Sequence, residues 1–178
     1  MANICNLLIK VRGNKEDIIK FHKALNQEGE VWMGRGAETD LTFEEDGAAY
    51  MFGQCKWSVI SSLVDNAISM RTEPNRWAFA EGDDVKEFIT LFEACKRWNL
   101  VMEVYSEEPG CEFQEHYICD KGDVICDECV EWHEYDIYIY DTKEEAEEAF
   151  GVEFTDEEWN SGEDSVHRGG FGDWVFEI

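Results

Sequence analysis

Residues 4–12 read Ile4-Cys5-Asn6-Leu7-Leu8-Ile9-Lys10-Val11-Arg12, and residues 13–25 continue Gly13-Asn14-Lys15-Glu16-Asp17-Ile18-Ile19-Lys20-Phe21-His22-Lys23-Ala24-Leu25. Cys5, Leu7, Ile9 and Val11 alternate with Asn6, Leu8, Lys10 and Arg12, so one side of the segment is fully apolar and the other mixed. That period of two is a β-strand. Gly13-Asn14 ends it, and Asn14 with Asp17 three residues on is a helix N-terminal capping signal. Ile18, Phe21, His22 and Leu25 then follow at helical spacing, with His22 expected at the core edge.

Residues 26–48 are polar and Gly-rich, with a short strand predicted at Leu41–Phe43. From Gly47 to Ile60, Ala49, Met51, Gly53, Cys55 and Trp57 alternate with polar or small neighbours and predict a strand or hairpin. A second helix is predicted from Asp83-Asp84, with Val85, Phe88, Ile89, Phe92 and Cys95 as its apolar stripe and Trp98-Asn99 as its close. Leu100, Met102 and Val104 open a strand that ends in the turn Ser106-Glu107-Glu108-Pro109-Gly110. Phe113–Cys119 is the next strand, Asp120-Lys121-Gly122-Asp123 a hairpin turn, and 124–140 is β-rich and aromatic. Thr142 with Glu145, and Thr155 with Glu158, are capping boxes for two short helices. Gly169-Gly170-Phe171-Gly172 is a turn, and Trp174, Phe176 and Ile178 alternate as a final strand. Two helices and an antiparallel sheet in this order predict an α+β split β-α-β sandwich over 1–140. An acidic α/β C-terminal extension, 141–178, is expected to pack on the same domain.

The charge is uneven. The chain of 178 residues has 41 Asp plus Glu against 15 Lys plus Arg, a formal net charge of −26. Residues 1–100 hold 16 acids and 12 bases, whereas residues 101–178 hold 25 acids and three bases, Lys121, Lys143 and Arg168. Contacts to nucleic-acid or lipid phosphates need Lys and Arg, so direct binding of DNA, RNA or anionic membrane is excluded as an expectation. No apolar run reaches the ~18 residues of a membrane span. The start, Met1 to Lys10, has no signal-peptide pattern. Seven cysteines are an odd number and read as reduced thiols of a cytoplasmic protein. Cys5, Cys55 and Cys95 fall on apolar faces and are expected in the core.

Three segments in order carry a family resemblance: Asn3 to Asn26, Phe52-Gly53-Gln54-Cys55-Lys56-Trp57, and Tyr105-Ser106-Glu107-Glu108-Pro109-Gly110-Cys111-Glu112-Phe113. Together they resemble the YubB-type ferredoxin-like domain family of plasmid and phage proteins, over about residues 1–140. The Tyr-x-Glu-x-Pro-Gly-x-x-Phe stretch is the most specific piece. The resemblance implies a small ferredoxin-like sandwich carried on a mobile element in a bacterial host cell. It implies no iron–sulfur cluster and no catalytic residues.

Cys119, Cys126, Cys129 and His133 fall as Cys-x6-Cys-x2-Cys-x3-His, four soft ligands that a tetrahedral zinc could use. In a regular strand, however, Cys126 and Cys129 point to opposite faces. The leading expectation therefore carries no metal and no cofactor, and a small zinc-binding structural or regulatory module on this cluster is the alternative. His116 could serve Cys111 as the base of a nucleophile, but a lone histidine on a strand is expected at the surface. With 41 acids, no carboxylate pair can be singled out for acid–base work. Met33-Gly34-Arg35-Gly36 and Arg168–Gly172 lack the strand–turn–helix context of a phosphate cradle. The expectation is non-enzymatic.

The dense anion of the C-terminal half predicts a surface that mimics DNA and binds a basic, nucleic-acid-handling host protein. Inhibition of a defence nuclease, an anti-CRISPR role for example, would suit a mobile-element protein. Its expected contacts are Glu144, Glu145, Glu147, Glu148, Asp156, Glu157, Glu158 and Trp159. The plain alternative is an acidic domain whose charge serves solubility.

Overall fold

The computed structural model describes residues 3–73 and 86–178. The opening segment is β1 (Ile4–Arg12), and its odd-numbered Cys5, Leu7, Ile9 and Val11 are completely buried. Asn14 caps α1 (Lys15–Leu25) by accepting the Glu16 N–H on Oδ1 at 2.9 Å. Ile18, Phe21, Ala24 and Leu25 of α1 are buried with the β1 residues in one cluster. His22 is half-buried, its Nε2 2.9 Å from the Thr39 carbonyl.

Two antiparallel strands follow, β3 (Ala37–Phe43) and β4 (Ala49–Lys56), after a short β2 (Val31–Met33). The chain then turns helical. A π-helical turn, Ser61–Asp65, runs directly into α2 (Asn66–Thr72). The expected strand therefore stops at Lys56, and Val59 and Ile60 lead into helix instead. Leu63 packs into the main core on the same side as α1.

Among the described residues, the helix expected from Asp83-Asp84 is found only after Thr90. Asp83, Asp84 and Val85 lie outside the described residues. Phe88 and Ile89 belong to a strand, β5 (Glu87–Ile89), which pairs in parallel with β2. The helix proper is α3 (Leu91–Arg97), started by Thr90 in a capping box with Glu93. β6 (Val101–Glu108), β7 (Phe113–Asp120) and β8 (Asp123–Asp136) form a meander. Lys121 and Gly122, both at positive φ, make the β7–β8 turn, the backbone that a two-residue hairpin requires. A bulge between Ile118 and Cys119 shifts the register, so that Ile118 faces Cys126 and Cys119 faces Val124.

The main sheet has seven strands in the order β3-β4-β1-β6-β7-β8-β9, where β9 is Ser165–Gly169. Every neighbouring pair in it is antiparallel. Between β8 and β9 lie α4 (Lys143–Phe150) and α5 (Asp156–Trp159). Ile137, Ala146, Phe154 and Val166 form a second, smaller core, with Tyr135, Tyr140, Phe150, Val152 and Trp159 packed on it. The molecule is thus a mixed α+β fold, with three helices among the described residues of 1–140 where two were expected, and the two short helices of the capping boxes after it. No helix among the described residues is long and apolar enough to cross a membrane.

α1, the π-helical turn and α3 cover one face of the sheet, and α2 packs beside β5. The C-terminal segment crosses the other face. Trp174, Phe176 and Ile178 alternate in burial as expected but pair with no described strand. Gly170, at positive φ, turns the chain back over the sheet: its N–H donates to the Glu131 carbonyl, and the Phe171 N–H donates to Gln114 Oε1 at 2.9 Å. A side chain at Gly170 would run into Gln114 and the Trp132 ring. Tyr105 then donates its hydroxyl proton to the Val175 carbonyl at 3.1 Å, and its ring stacks on Trp174.

Candidate metal centre

The face beneath this segment gathers side chains from three adjacent strands. Alternation puts Glu103 and Tyr105 of β6, His116 of β7, and Cys126 and Glu128 of β8 on the same side. Register sets their neighbours. Tyr105 is opposite His116, His116 is opposite Glu128, and Ile118 is opposite Cys126. Glu103 and Cys126 therefore flank His116 diagonally from either side, within reach of long side chains.

Glu103 is 0% exposed. A buried carboxylate must be met by donors, and this one has three. His116 Nε2 lies 2.9 Å from Oε1, and the Glu177 and Ile178 N–H groups donate to Oε2 at 2.7 and 3.2 Å. With the carboxylate accepting at Nε2, the neutral ring tautomer that fits carries its proton there and has the lone pair of Nδ1 free. His116 is only 6% exposed. Tyr105 stacks on its ring at 4.1 Å and Phe171 meets it edge-on. Nδ1 then has one direction to face, and Cys126 Sγ lies there at 3.5 Å.

The charged groups that act on the thiol are carboxylates. Burial, then Glu128, Glu177, Asp127 and Glu103, raise the Cys126 pKa above its ordinary value. Tyr105, pushed up to about 12 by burial, Glu103 and Glu177, also keeps its proton. Cys126, His116 and Glu103 have the order of a nucleophile, base and orienting acid. A nucleophilic cysteine needs its thiolate, however, and this environment opposes one. A divalent cation reverses that balance by displacing the proton.

Cys126 Sγ, His116 and Glu128 offer sulfur, nitrogen and oxygen atoms that all lie within 4.8 Å of one another. A tetrahedral zinc shell holds its ligand atoms roughly 3.3–3.8 Å apart, and Glu128, which is exposed, has room to close on an ion there. Glu103 would stand behind the histidine as the carboxylate that fixes ring orientation in such sites.

This is not the cluster expected from spacing. Cys119 is buried in the helix-covered core, beside Cys95. Cys129 is exposed on that same side, opposite Glu115. His133 Nδ1 faces Glu112 at 3.2 Å. Of the four, only Cys126 reaches the tail side, because strand alternation sends Cys129 and His133 the other way. His116 is likewise not at the surface, and it faces Cys126 rather than Cys111. Cys111 instead accepts from Asn3 Nδ2 at 2.7 Å. Cys5, Cys55 and Cys95 are buried thiols, as expected. The overlooked signal is Glu103, a single carboxylate inside Leu100-Val101-Met102-Glu103-Val104-Tyr105.

The acidic residues singled out from sequence divide by role. Glu147 accepts the Phe154 N–H, Asp156 pairs with Lys143 at 2.9 Å, and Glu158 completes the Thr155 capping box and pairs with Arg168. Trp159 is half-buried against the second core. Glu144, Glu145, Glu148 and Glu157 are exposed. No family model matches the chain, and no curated protein and no solved structure matches it.

Proposed function

We propose that this chain is a metal-binding module in which His116, Cys126 and Glu128 hold a divalent transition metal, zinc by the character of the donors. The observation that carries the reading is the Glu103–His116 hydrogen bond, which aims a free Nδ1 at Cys126, with Glu128 directly across the strand pair. We take its role to be structural or regulatory, the metal displacing the Cys126 proton on binding. The test is metal content and zinc affinity of the purified protein. One tightly held zinc per chain is expected, lost in Cys126→Ser and His116→Gln and kept in Cys119→Ser and Cys129→Ser. A wild-type protein that binds no zinc, or one that loses it only through Cys119 or Cys129, overturns the reading.

A second reading has its own observation. Glu144, Glu145, Glu148 and Glu157 project from α4 and α5, and the ion pairs of this region use their neighbours instead. This supports an anionic surface offered to a basic, nucleic-acid-handling protein, as in a mobile-element inhibitor that imitates DNA. The order β3-β4-β1-β6, with helices joining β1 to β3 and β4 to β6, likewise supports the split β-α-β, ferredoxin-like reading. Reversing the four free glutamates to lysine should abolish salt-sensitive capture of such a partner. Undiminished capture would refute the mimic. Glu147, Asp156 and Glu158 must be left out of that test, since they hold the local fold.

A further inference from the structure

Gly169, Gly170 and Gly172, all at positive φ, bend the chain from β9 back over the sheet. Inside that bend lies an open groove of about 660 Å³, a volume in the range of small binding sites. Its floor is a row of polar side chains. Asn6 of β1 is opposite Glu107 of β6, and Glu107 is opposite Gln114 of β7. Gln114 is 4% exposed and held at both ends of its amide. Its Oε1 accepts the Phe171 N–H at 2.9 Å, and its Nε2 donates to Glu107 Oε2 at 3.3 Å. Among the described residues, that long bond is the only one the Glu107 carboxylate makes. Two indoles line the groove as well. Trp132 is closed in by Gly170 and His167, and Trp174 is stacked on Tyr105 at 5.6 Å. Both rings are therefore set in place before any ligand arrives. Glu134 and Asp173 add exposed carboxylates, and no Lys or Arg lines the groove.

A half-buried carboxylate beside fixed indoles, with no cation of its own, suits an organic cation. A guanidinium fits better than an ammonium. It is planar and weakly hydrated, stacks on an aromatic face, and forks two N–H groups onto one carboxylate. Free arginine brings a carboxylate of its own, which three acidic side chains repel, whereas an arginine within a polypeptide does not. We propose that this groove binds the side chain of an arginine presented by a basic polypeptide, its guanidinium on Glu107 and against the indoles of Trp132 and Trp174. The groove shares no lining residue with the metal centre or with α4 and α5, so it needs neither a metal nor the free glutamates.

The test follows the tryptophan indole N–H signals by nitrogen NMR, in ~0.15 M salt so that the diffuse field of the acidic surface is screened. The probes are N-acetyl-arginine methylamide, its lysine counterpart and free arginine. The blocked arginine is expected to shift the signals of Trp132 and Trp174 and not those of Trp32 and Trp98. It should bind several-fold tighter than either other probe. Glu107→Gln keeps an acceptor for Gln114 and should weaken the blocked arginine by at least ~10-fold. Glu148→Gln takes the same charge from α4 and should change nothing. Arginine and lysine compounds bound alike, Glu107→Gln binding as well as the wild type, or an equal loss in Glu148→Gln would each overturn the site. Free arginine bound as tightly as the blocked form would overturn the polypeptide as its source. Shifts of the two indoles by a neutral methyl glycoside and not by arginine would overturn the cation and assign the groove to a sugar.

Discussion

Glu103 is the residue on which the site turns. It is completely buried, and every donor it meets belongs either to His116 or to the tail. Glu103→Gln keeps the shape and changes the hydrogen-bond logic. If the glutamine oxygen stays with the two tail N–H groups, its amide becomes a donor facing Nε2. The ring must then move its proton to Nδ1, and the lone pair aimed at Cys126 is lost. The expected result is a roughly 10–100-fold loss of zinc affinity with a His116 tautomer change in nitrogen NMR, a signature that loss of packing alone would not produce. Unchanged tautomer and affinity would show that Glu103 serves only the tail. Cys126 is legible in the sequence as a candidate ligand, but the side chains it meets are not. Spacing groups residues that are near in the chain, whereas the pairing of β6, β7 and β8 brings together positions 103, 116, 126 and 128.

Elements were legible where local chemistry was unambiguous. β1, α1, the meander β6–β8 and the Lys121-Gly122 turn all follow from alternation, capping or positive φ. The misreadings share one cause, a period that continues across a boundary. Val85, Phe88, Ile89, Phe92 and Cys95 fit one helical stripe, yet among the described residues the chain is strand at Phe88 and helix after Thr90. Thr90 was the overlooked marker, since its hydroxyl accepts the Glu93 N–H and the Glu93 carboxylate accepts its own. Thr90→Ala should cost about 1 kcal/mol, read as a fall in Tm of roughly 2–4 °C for a chain of this size. No shift would mean that α3 is held by its packing alone. The tail shows the opposite case. Alternation at Trp174, Phe176 and Ile178 correctly gave the side that is buried, but alternation fixes which way side chains face and not what the backbone pairs with. Here the backbone donates to Glu103 and accepts from Tyr105 instead of joining a ladder.

At the scale of the whole molecule, a net charge of −26 makes the compact state repel itself. Two kinds of cation should relieve that repulsion, and they can be told apart. Monovalent salt screens exposed charges beyond a Debye length of about 8 Å at physiological ionic strength, so raising salt should raise Tm gradually and without saturation at one equivalent. Zinc at the proposed centre acts by mass action on the folded state. At a free concentration 100 times its Kd, it should add about 2.7 kcal/mol, a Tm rise of roughly 5–11 °C. Magnesium at the same concentration supplies the same charge without affinity for a thiolate and imidazole, so it should reproduce only the screening part. Calorimetric scans of wild type and Cys126→Ser with each ion separate the two. A zinc increment absent from Cys126→Ser, beside a salt increment common to both, would locate the specific part at the centre. Equal responses to zinc and magnesium would assign the whole effect to the charge of the acidic half, whose four free glutamates on α4 and α5 would then be the more informative target.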